Sequence, residues 1–523
     1  MTTMAGLDWL AENQVAPLID TLLVQLLKEK PADPISFMQS KLENMKLAAG
    51  VRRVSAHVEN QLRSQLRRVR STAIAPQGAV AQDDEDLTQA NFDIECLKGT
   101  PYQSPLLGRH QFFDDLPKVV YNCFAPGGVA PQPLLMESAG PHSQLHFDPP
   151  RTVIGLVSCG GLCPGLNDVT RAVTLLATEV YGVRKVIGFK YGWMGLMDEG
   201  IGEAFELTPS VVRDINRFGG SFLGSSRGRP VHKHGEEMVD NLVRLGVNIV
   251  FALGGDGTLK GASQLYDVIK KRGVDIAVIG IPKTIDNDVC YVQKTFGYET
   301  ACNEAVVALK AAQSEARSHK HGIGLVKLMG RHSGFVAAQA AVAFGGAHIV
   351  LIPENEISLD TICNLVRERF KKRKYCVIVV AEGFGENLMA SEGGTDASGN
   401  KKLGDIGMFL NSALTKWLKA NYEESTVKYI DPSYMVRACP AVTQDAAFCL
   451  QLANYAVHEA MRGSTNCLIG YWNNTFTAVP ISLCVSKRKF VNLEGDLWRA
   501  VREITVSMKD RNRRASAGPA PLL

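Results

Sequence analysis

Seven short apolar runs recur between residues 152 and 383: TVIGLVSCG (152–160), KVIGFK (185–190), NIVFALGG (248–255), DIAVIGIP (275–282), GIGLVKLM (322–329), HIVLIP (348–353) and CVIVVAEG (376–383). Amphipathic helical stretches separate them. Near-continuous Val/Ile runs bounded by Gly belong to strands buried on both faces, so the pattern predicts parallel sheets covered by helices on each side. Sheets of that kind bind ligands in crevices at the carboxyl ends of their strands. Chemistry-bearing motifs are therefore expected just after these runs. At 523 residues the chain is long enough for two to four domains.

Composition narrows the class. The chain is 46% apolar and 21% charged, which suits a globular protein with a large core. A net charge of +4 gives no reason to expect nucleic acid as the main partner. Twelve Cys lack CxxC pairs, and Cys159, Cys376 and Cys467 sit in apolar runs, a pattern of reduced thiols. No stretch approaches 18 uninterrupted apolar residues, and the N-terminus lacks a basic signal-like region. A cytoplasmic location is expected.

The first motif, Cys159-Gly160-Gly161-Leu162-Cys163-Pro164-Gly165-Leu166-Asn167, leads from a strand into a helix expected to be capped by Asn167. Glycines at such a turn let the backbone approach a phosphate, though they also serve as ordinary punctuation. The second, Gly254-Gly255-Asp256-Gly257-Thr258 with Gly261 beyond, offers close backbone approach and a carboxylate, Asp256, for a phosphate-bridging magnesium. The third, Pro282-Lys283-Thr284-Ile285-Asp286-Asn287-Asp288, alternates two acids that can face the same way. A positioned carboxylate can take the proton of an attacking hydroxyl, while Thr284 and Lys283 support a transferring phosphoryl group. GGDGT alone also marks kinases acting on NAD, diacylglycerol or sphingosine.

With Met329-Gly330-Arg331-His332-Ser333-Gly334 and Ala381-Glu382-Gly383 in the same order, residues 150 to 465 resemble the phosphofructokinases. The segments VKYIDPSYMVRACP (427–440) and DASGNKKLGDIG (396–407) are similar to the ATP-dependent plant and trypanosomatid branch, itself near the pyrophosphate-dependent enzymes. The resemblance implies an α/β phosphofructokinase-like fold: two doubly wound parallel-sheet domains, an N-terminal helical extension and a small decorating domain. It implies phosphoryl transfer from Mg-ATP to fructose 6-phosphate, in an allosteric glycolytic enzyme, usually a homotetramer.

Carried over by matched position, Asp286 is the base on the sugar 1-hydroxyl, with Lys283, Thr284, Asp288 and Arg331 around the same centre. Asp256 holds magnesium. Gly160, Gly161, Trp193, Arg227, Gly228, Gly255, Gly257, Thr258 and Gly261 belong to the nucleotide side. Met329, Gly330, Arg331, Glu382, Tyr434 and Arg437 line the sugar-phosphate side, and Lys428 reaches a neighbouring subunit's site. Bacterial members carry an intersubunit Arg where this chain has Gly322. Lys320 or His321 could replace it, or Arg437 and Lys428 could hold the 6-phosphate alone. Gly257 leaves room for a nucleotide where pyrophosphate users place Asp, whereas Lys283 is shared with them. A pyrophosphate donor is the alternative, and a scaffold built on this fold is the rival of another class.

The remaining pieces carry their own expectations. Residues 1–50 contain LLVQLLKEKPADPISFMQSKLE, which resembles the docking-and-dimerisation helix pair of protein kinase A regulatory subunits. Two short amphipathic helices cannot bury their apolar faces alone, so self-association or docking follows, or else folding as a cap on the chain's own core. Residues 51–92 read as a basic helix and linker, and 93–150 as a small decorating domain. The catalytic core is expected over 151–485, and a C-terminal helix with a basic tail over 486–523. The tail sequence Arg513-Arg514-Ala515-Ser516 resembles a basophilic-kinase site.

Overall fold

A computed structural model of the chain divides it into two units, Met1–Ile74 and Ala75–Leu523. It describes residues 90–108, 112, 118–122, 133–226, 230–389 and 404–505, all in the second unit. The expectations for residues 1–50 and 51–89, and for Ser516, lie outside the described residues.

Among the described residues, the larger of the two main sheets has nine strands. Five run parallel at its centre, in the order Cys467–Trp472, Ala277–Pro282, Ile249–Gly254, Val153–Ser158 and Lys185–Phe189. The flanks are antiparallel: Thr475–Pro480, Leu135–Ser138 and Val119–Val120 on one side, Phe205–Glu206 on the other. The expected parallel sheet is present, with antiparallel strands added at its edges. The reason is local, because Asn473 and Asn474 adopt φ of 47° and 61° and turn Cys467–Trp472 back into a hairpin. The smaller sheet is wholly parallel, in the order Ile349–Leu351, Tyr375–Ala381, Gly322–Leu328, Thr426–Ile430.

Both sheets are covered on two faces, as the continuous apolar runs require. Ile154 and Leu156 feed one cluster of the large sheet, and Val153 and Val157 the other. Ile323 and Leu325 face one side of the small sheet, and Val326 and Leu328 the opposite side. Full burial of each such side chain contributes roughly 1.5–3 kcal/mol.

Register decides where the site forms. Ala277–Pro282 pairs in step with Ile249–Gly254, so Pro282 lies opposite Gly254 and Ser158 opposite Leu253. Three strand tips thus deliver three motifs side by side. Lys283 N–H continues the ladder to the Gly254 carbonyl at 2.9 Å, and Cys159 N–H to the Leu253 carbonyl at 3.0 Å. In the small sheet Leu328 lies opposite Ala381, and Glu382 N–H donates to the Leu328 carbonyl at 2.9 Å.

Residues 93–150, expected as a small decorating domain, carry short strands of their own, Tyr102–Gln103 paired with Gln144–Leu145 and Val119–Val120 with Leu135–Ser138. Two of their strands also pair with the core, Leu135–Ser138 against Thr475–Pro480 and Glu95–Cys96 against Ser464–Thr465. Tyr121 stacks on Trp472 at 4.7 Å. The carboxylate of fully buried Glu459 accepts from Gly140 N–H at 3.1 Å and Ser464 Oγ at 2.7 Å, and meets His142 Nε2 at 3.1 Å. Met136 and Leu145 of this segment are buried within the core's own apolar clusters. Among the described residues every cysteine is free, and no helix is long and apolar enough to cross a membrane.

Candidate active site

A cavity of about 580 Å³ opens at the strand tips of the large sheet and is lined by 13 of the residues singled out from sequence. These are Gly160, Gly161, Trp193, Gly255, Asp256, Gly257, Thr258, Lys283, Thr284, Asp286, Asp288, Met329 and Arg437.

The Asp256 carboxylate stands at the head of helix Asp256–Arg272, where the helix dipole favours negative charge. It receives Lys260 Nζ at 3.1 Å and Arg488 at 3.6 Å. A Cβ added at Gly257 meets nothing within 4 Å, so open space adjoins this carboxylate. Among the described residues no group of three His, Cys, Asp or Glu could hold a metal by itself. A divalent cation here would rest on Asp256 and on the oxygens of a bound phosphate, the arrangement magnesium commonly adopts.

The Lys283 side chain, 5% exposed, donates to the Gly161 carbonyl at 2.6 Å and so ties the third motif to the first. The loop after it is held internally. Thr284 Oγ1 donates to Asp288 at 3.2 Å, Asp286 N–H donates to Thr284 Oγ1 at 3.1 Å, and left-handed Asn287 accepts from Thr295 N–H at 3.1 Å. Asp286 is half-buried, and its Oδ1, shielded from solvent, has no hydrogen-bond partner. Burial first, then the neighbouring Asp288 and Glu382 charges, push its pKa well above the ordinary carboxylate range, opposed by the Arg331 backbone amide and by Arg488. A carboxyl with one oxygen unpaired at a cavity wall is poised to meet a hydroxyl.

The small sheet supplies the facing wall. Ser333 Oγ donates to the Asp286 carbonyl at 3.3 Å, and Gly334 N–H to the Glu354 carboxylate at 3.0 Å, so the Met329–Gly334 turn is pinned beside the acid loop. Gly383 lies so close to the Arg331 carbonyl that a side chain at 383 would collide with backbone. Burial raises the pKa of Glu382, with Lys327, Arg331 and Arg437 opposing. Lys327 is anchored by Asp431 at 2.8 Å and Asp405 at 3.1 Å.

Six expected residues lie off the cavity wall. Gly261 backs the Trp193 indole, where an added Cβ would sit 2.8 Å from Nε1. Gly330, Arg331 and Glu382 do not line the cavity, although the Arg331 backbone amide and the Glu382 charge both act on Asp286. Tyr434 is 76% exposed, with the Arg437 guanidinium 4.7 Å over its ring. Lys428, on the edge strand Thr426–Ile430, faces Glu315 at 3.6 Å. Gly322 admits no side chain, since a Cβ there would collide with the Ala316 carbonyl. Lys320 pairs with Glu424 at 3.2 Å, and the His321 ring packs on Tyr422 at 4.5 Å, so neither lines the cavity. Arg227 and Gly228 are outside the described residues, although the adjacent Ser226 lines the wall.

Two further corrections concern the frame. Asn167 caps nothing: the helix begins at Leu166 behind left-handed Gly165, and the Asn167 side chain instead bonds the Phe218 carbonyl at 2.9 Å and Phe222 N–H at 2.7 Å. The core also does not stop at 485. Arg488 lines the cavity and joins Asp288 at 3.1 Å, a contact no motif announced. The available signal was the Lys487-Arg488-Lys489 triplet, which reads like the start of a basic tail.

Comparison with known proteins agrees with this geometry. A family model described as Phosphofructokinase matches residues 153–460. The chain is 49% identical over 465 residues to an ATP-dependent 6-phosphofructokinase of Trypanosoma cruzi, covering 87% of this chain and 94% of that one. It is 40% identical over 363 residues to ATP-dependent 6-phosphofructokinase 5, chloroplastic, of Arabidopsis thaliana, covering 69% and 67%. The crystal structure of a pyrophosphate-dependent phosphofructokinase from Nitrosospira multiformis shares the fold at TM-score 0.57 and 19% identity, over 68% of this chain and 92% of that one. Motif order, strand-tip geometry and identity over most of its length place the chain in the phosphofructokinase family.

Proposed function

We infer that this chain is an ATP-dependent 6-phosphofructokinase, transferring the terminal phosphoryl group of ATP to the 1-hydroxyl of fructose 6-phosphate. The observation that carries the reading is the meeting of Asp256 and the half-unpaired carboxyl of Asp286 in one cavity, with Lys283 between their strand tips. The donor's phosphates would lie along the Gly160–Gly161 and Gly255–Thr258 turns. Magnesium, held by Asp256 together with phosphate oxygens, would supply positive charge to the transferring group. Asp286 takes the proton as the sugar oxygen attacks phosphorus, the bond to the bridging oxygen breaks, and ADP leaves. Thr284 and Lys283 support the charge on the transferring oxygens. Positioning and charge stabilisation account for most of the rate in such transfers.

On the acceptor side Arg437, Arg331 and Glu382 would orient the sugar phosphate. Lys428, which does not line its own cavity, would complete the site of a second copy, in keeping with a homotetramer. The free thiols fit a cytosolic enzyme. The open space beside Gly257 favours a nucleotide over pyrophosphate as donor, because the extra phosphate and nucleoside need room there. Turnover of purified full-length protein with Mg-ATP or with Mg-pyrophosphate, each with fructose 6-phosphate, tests the assignment. Activity confined to pyrophosphate would overturn the donor, and activity with neither would overturn the reaction.

A further inference from the structure

We propose that Arg488, carried by the C-terminal segment, is a phosphate-contacting catalytic residue that stays anchored on Asp288 while giving up its hold on Asp256 to the loaded nucleotide. The proposal rests on the phosphotransfer reading above and adds a residue that neither the motifs nor the family match over 153–460 include.

The delivery of this side chain is built, not incidental. Arg488 forms an antiparallel bridge with Val289, and Lys489 N–H donates to the Asp288 carbonyl at 3.0 Å, so the segment is tied alongside the acid loop. Lys489, 4% exposed, drives its ammonium beneath that loop and donates to the Val292 and Gln293 carbonyls at 2.8 and 3.2 Å. Two residues on, Val491 N–H donates at 2.8 Å to Glu354, the same carboxylate that holds Gly334 of the facing turn. A lysine can be buried when its hydrogen bonds are made, and these two bonds fix the segment that carries Arg488.

What the segment presents is a guanidinium on the cavity wall, shared unequally between two carboxylates. The contact to Asp288 is 3.1 Å and the one to Asp256 Oδ2 is 3.6 Å. A divalent cation binding Asp256 competes for that same oxygen and for the weaker of the two contacts. The Asp288 anchor survives the exchange. The freed face of the guanidinium, a planar fork matched to phosphate oxygens, then points into the space between the magnesium carboxylate and the base. Charge developing on the transferring oxygens is stabilised there by a donor already in place, which is the role of a cis arginine in other phosphotransferases. No bond to Arg488 forms or breaks.

The test uses full-length Arg488→Met and Arg488→Lys with two readouts. Binding of Mn2+ in the presence of a saturating non-hydrolysable ATP analogue, followed by the loss of the free-ion electron paramagnetic signal, should become about two- to fivefold tighter in Arg488→Met, since a positive charge competing with the cation for Asp256 is gone. Its kcat with Mg-ATP and fructose 6-phosphate should fall about 10²-fold or more, with KM for ATP within about threefold. Opposite signs in the two readouts are what a merely structural role does not produce. Arg488→Lys should keep the wild-type metal affinity and recover only part of kcat, because it retains charge without the fork. Weaker Mn2+ binding together with lower kcat, or a kcat within twofold of wild type, would overturn the proposal. If Arg488→Met does not fold, a fully active Arg488→Lys overturns it as well. Wild-type protein lacking turnover would instead sink the functional reading itself, so the two failures are told apart.

Discussion

The donor and acceptor halves of the cavity are built to different degrees of completion within one chain. On the donor side three contiguous motifs arrive at neighbouring strand tips in register, and their functional atoms already touch: Lys283 on Gly161, Thr284 on Asp288, Arg488 on both acids. On the acceptor side only Met329 and Arg437 reach the cavity wall, Tyr434 faces solvent, and Lys428 lies on the outer strand of an open sheet edge. A nucleotide's phosphates can be cradled by backbone turns that one sheet provides. A sugar phosphate needs several long cationic side chains converging from different elements, and a second subunit is an economical source of them. Under the proposed function, donor binding would belong to the protomer and acceptor binding to an assembly of several chains.

That contrast can be broken or sharpened experimentally. The largest effect is expected at the junction of the halves: Asp286→Asn should lower kcat by about 10²- to 10⁴-fold while leaving ATP binding, measured by calorimetry, within a few fold. Equal damage to ATP binding would mean that Asp286 belongs to the donor half rather than to the chemistry. On the donor side alone, Gly257→Asp fills the open space next to Asp256 with a charge. The KM for ATP should rise at least about tenfold, with pyrophosphate less affected, because like charges repel across a few ångströms. An unchanged KM for ATP would remove the steric argument for the nucleotide.

On the acceptor side, Lys428→Ala should raise the KM for fructose 6-phosphate about tenfold, the loss of one charge-assisted contact, and leave the KM for ATP unchanged. Mixed oligomers of Lys428→Ala and Asp286→Asn chains should regain activity, because some sites then combine an intact base with an intact lysine. Absence of any such recovery would place Lys428 outside the shared site. The smallest effect is expected for removal of residues 1–75, which should leave kcat within about twofold. Loss of turnover from a core that remains folded would contradict a modular chain.

How far the sequence foretold this follows from the same physics. In a parallel sheet the residues after a strand are next to one another in the chain and in space, so GGDGT and PKTIDND announced Asp256 and Asp286 directly. The small sheet was mostly visible. Its two central strands with their turns, Met329–Gly334 and Ala381–Gly383, and the edge strand Ile349–Leu351 were legible as apolar runs, whereas the other edge strand Thr426–Ile430 mixes polar and apolar residues and gave no continuous run. Asn167 was misread as a cap because a side chain that bonds Phe218 and Phe222 reveals itself only once the intervening loop folds back. Arg488 was hidden for a related reason, standing 200 residues from Asp288 in a basic triplet indistinguishable from a tail. The joining of residues 93–150 to the sheet depends on pairs such as Tyr121 with Trp472, which no local pattern encodes.

The central claim is that Asp286 removes the proton from the attacking sugar hydroxyl. A base works in its deprotonated form, and burial with two acidic neighbours raises this one, so activity must fall as pH drops through a pKa above the ordinary carboxylate value of about 4. The deciding measurement is the pH profile of kcat/KM for fructose 6-phosphate in wild type and in Asp286→Asn. The account predicts an acid limb in the wild type, displaced upward from the carboxylate range, and a low, flat profile in the variant across the same pH values. An acid limb of unchanged position in Asp286→Asn would contradict it.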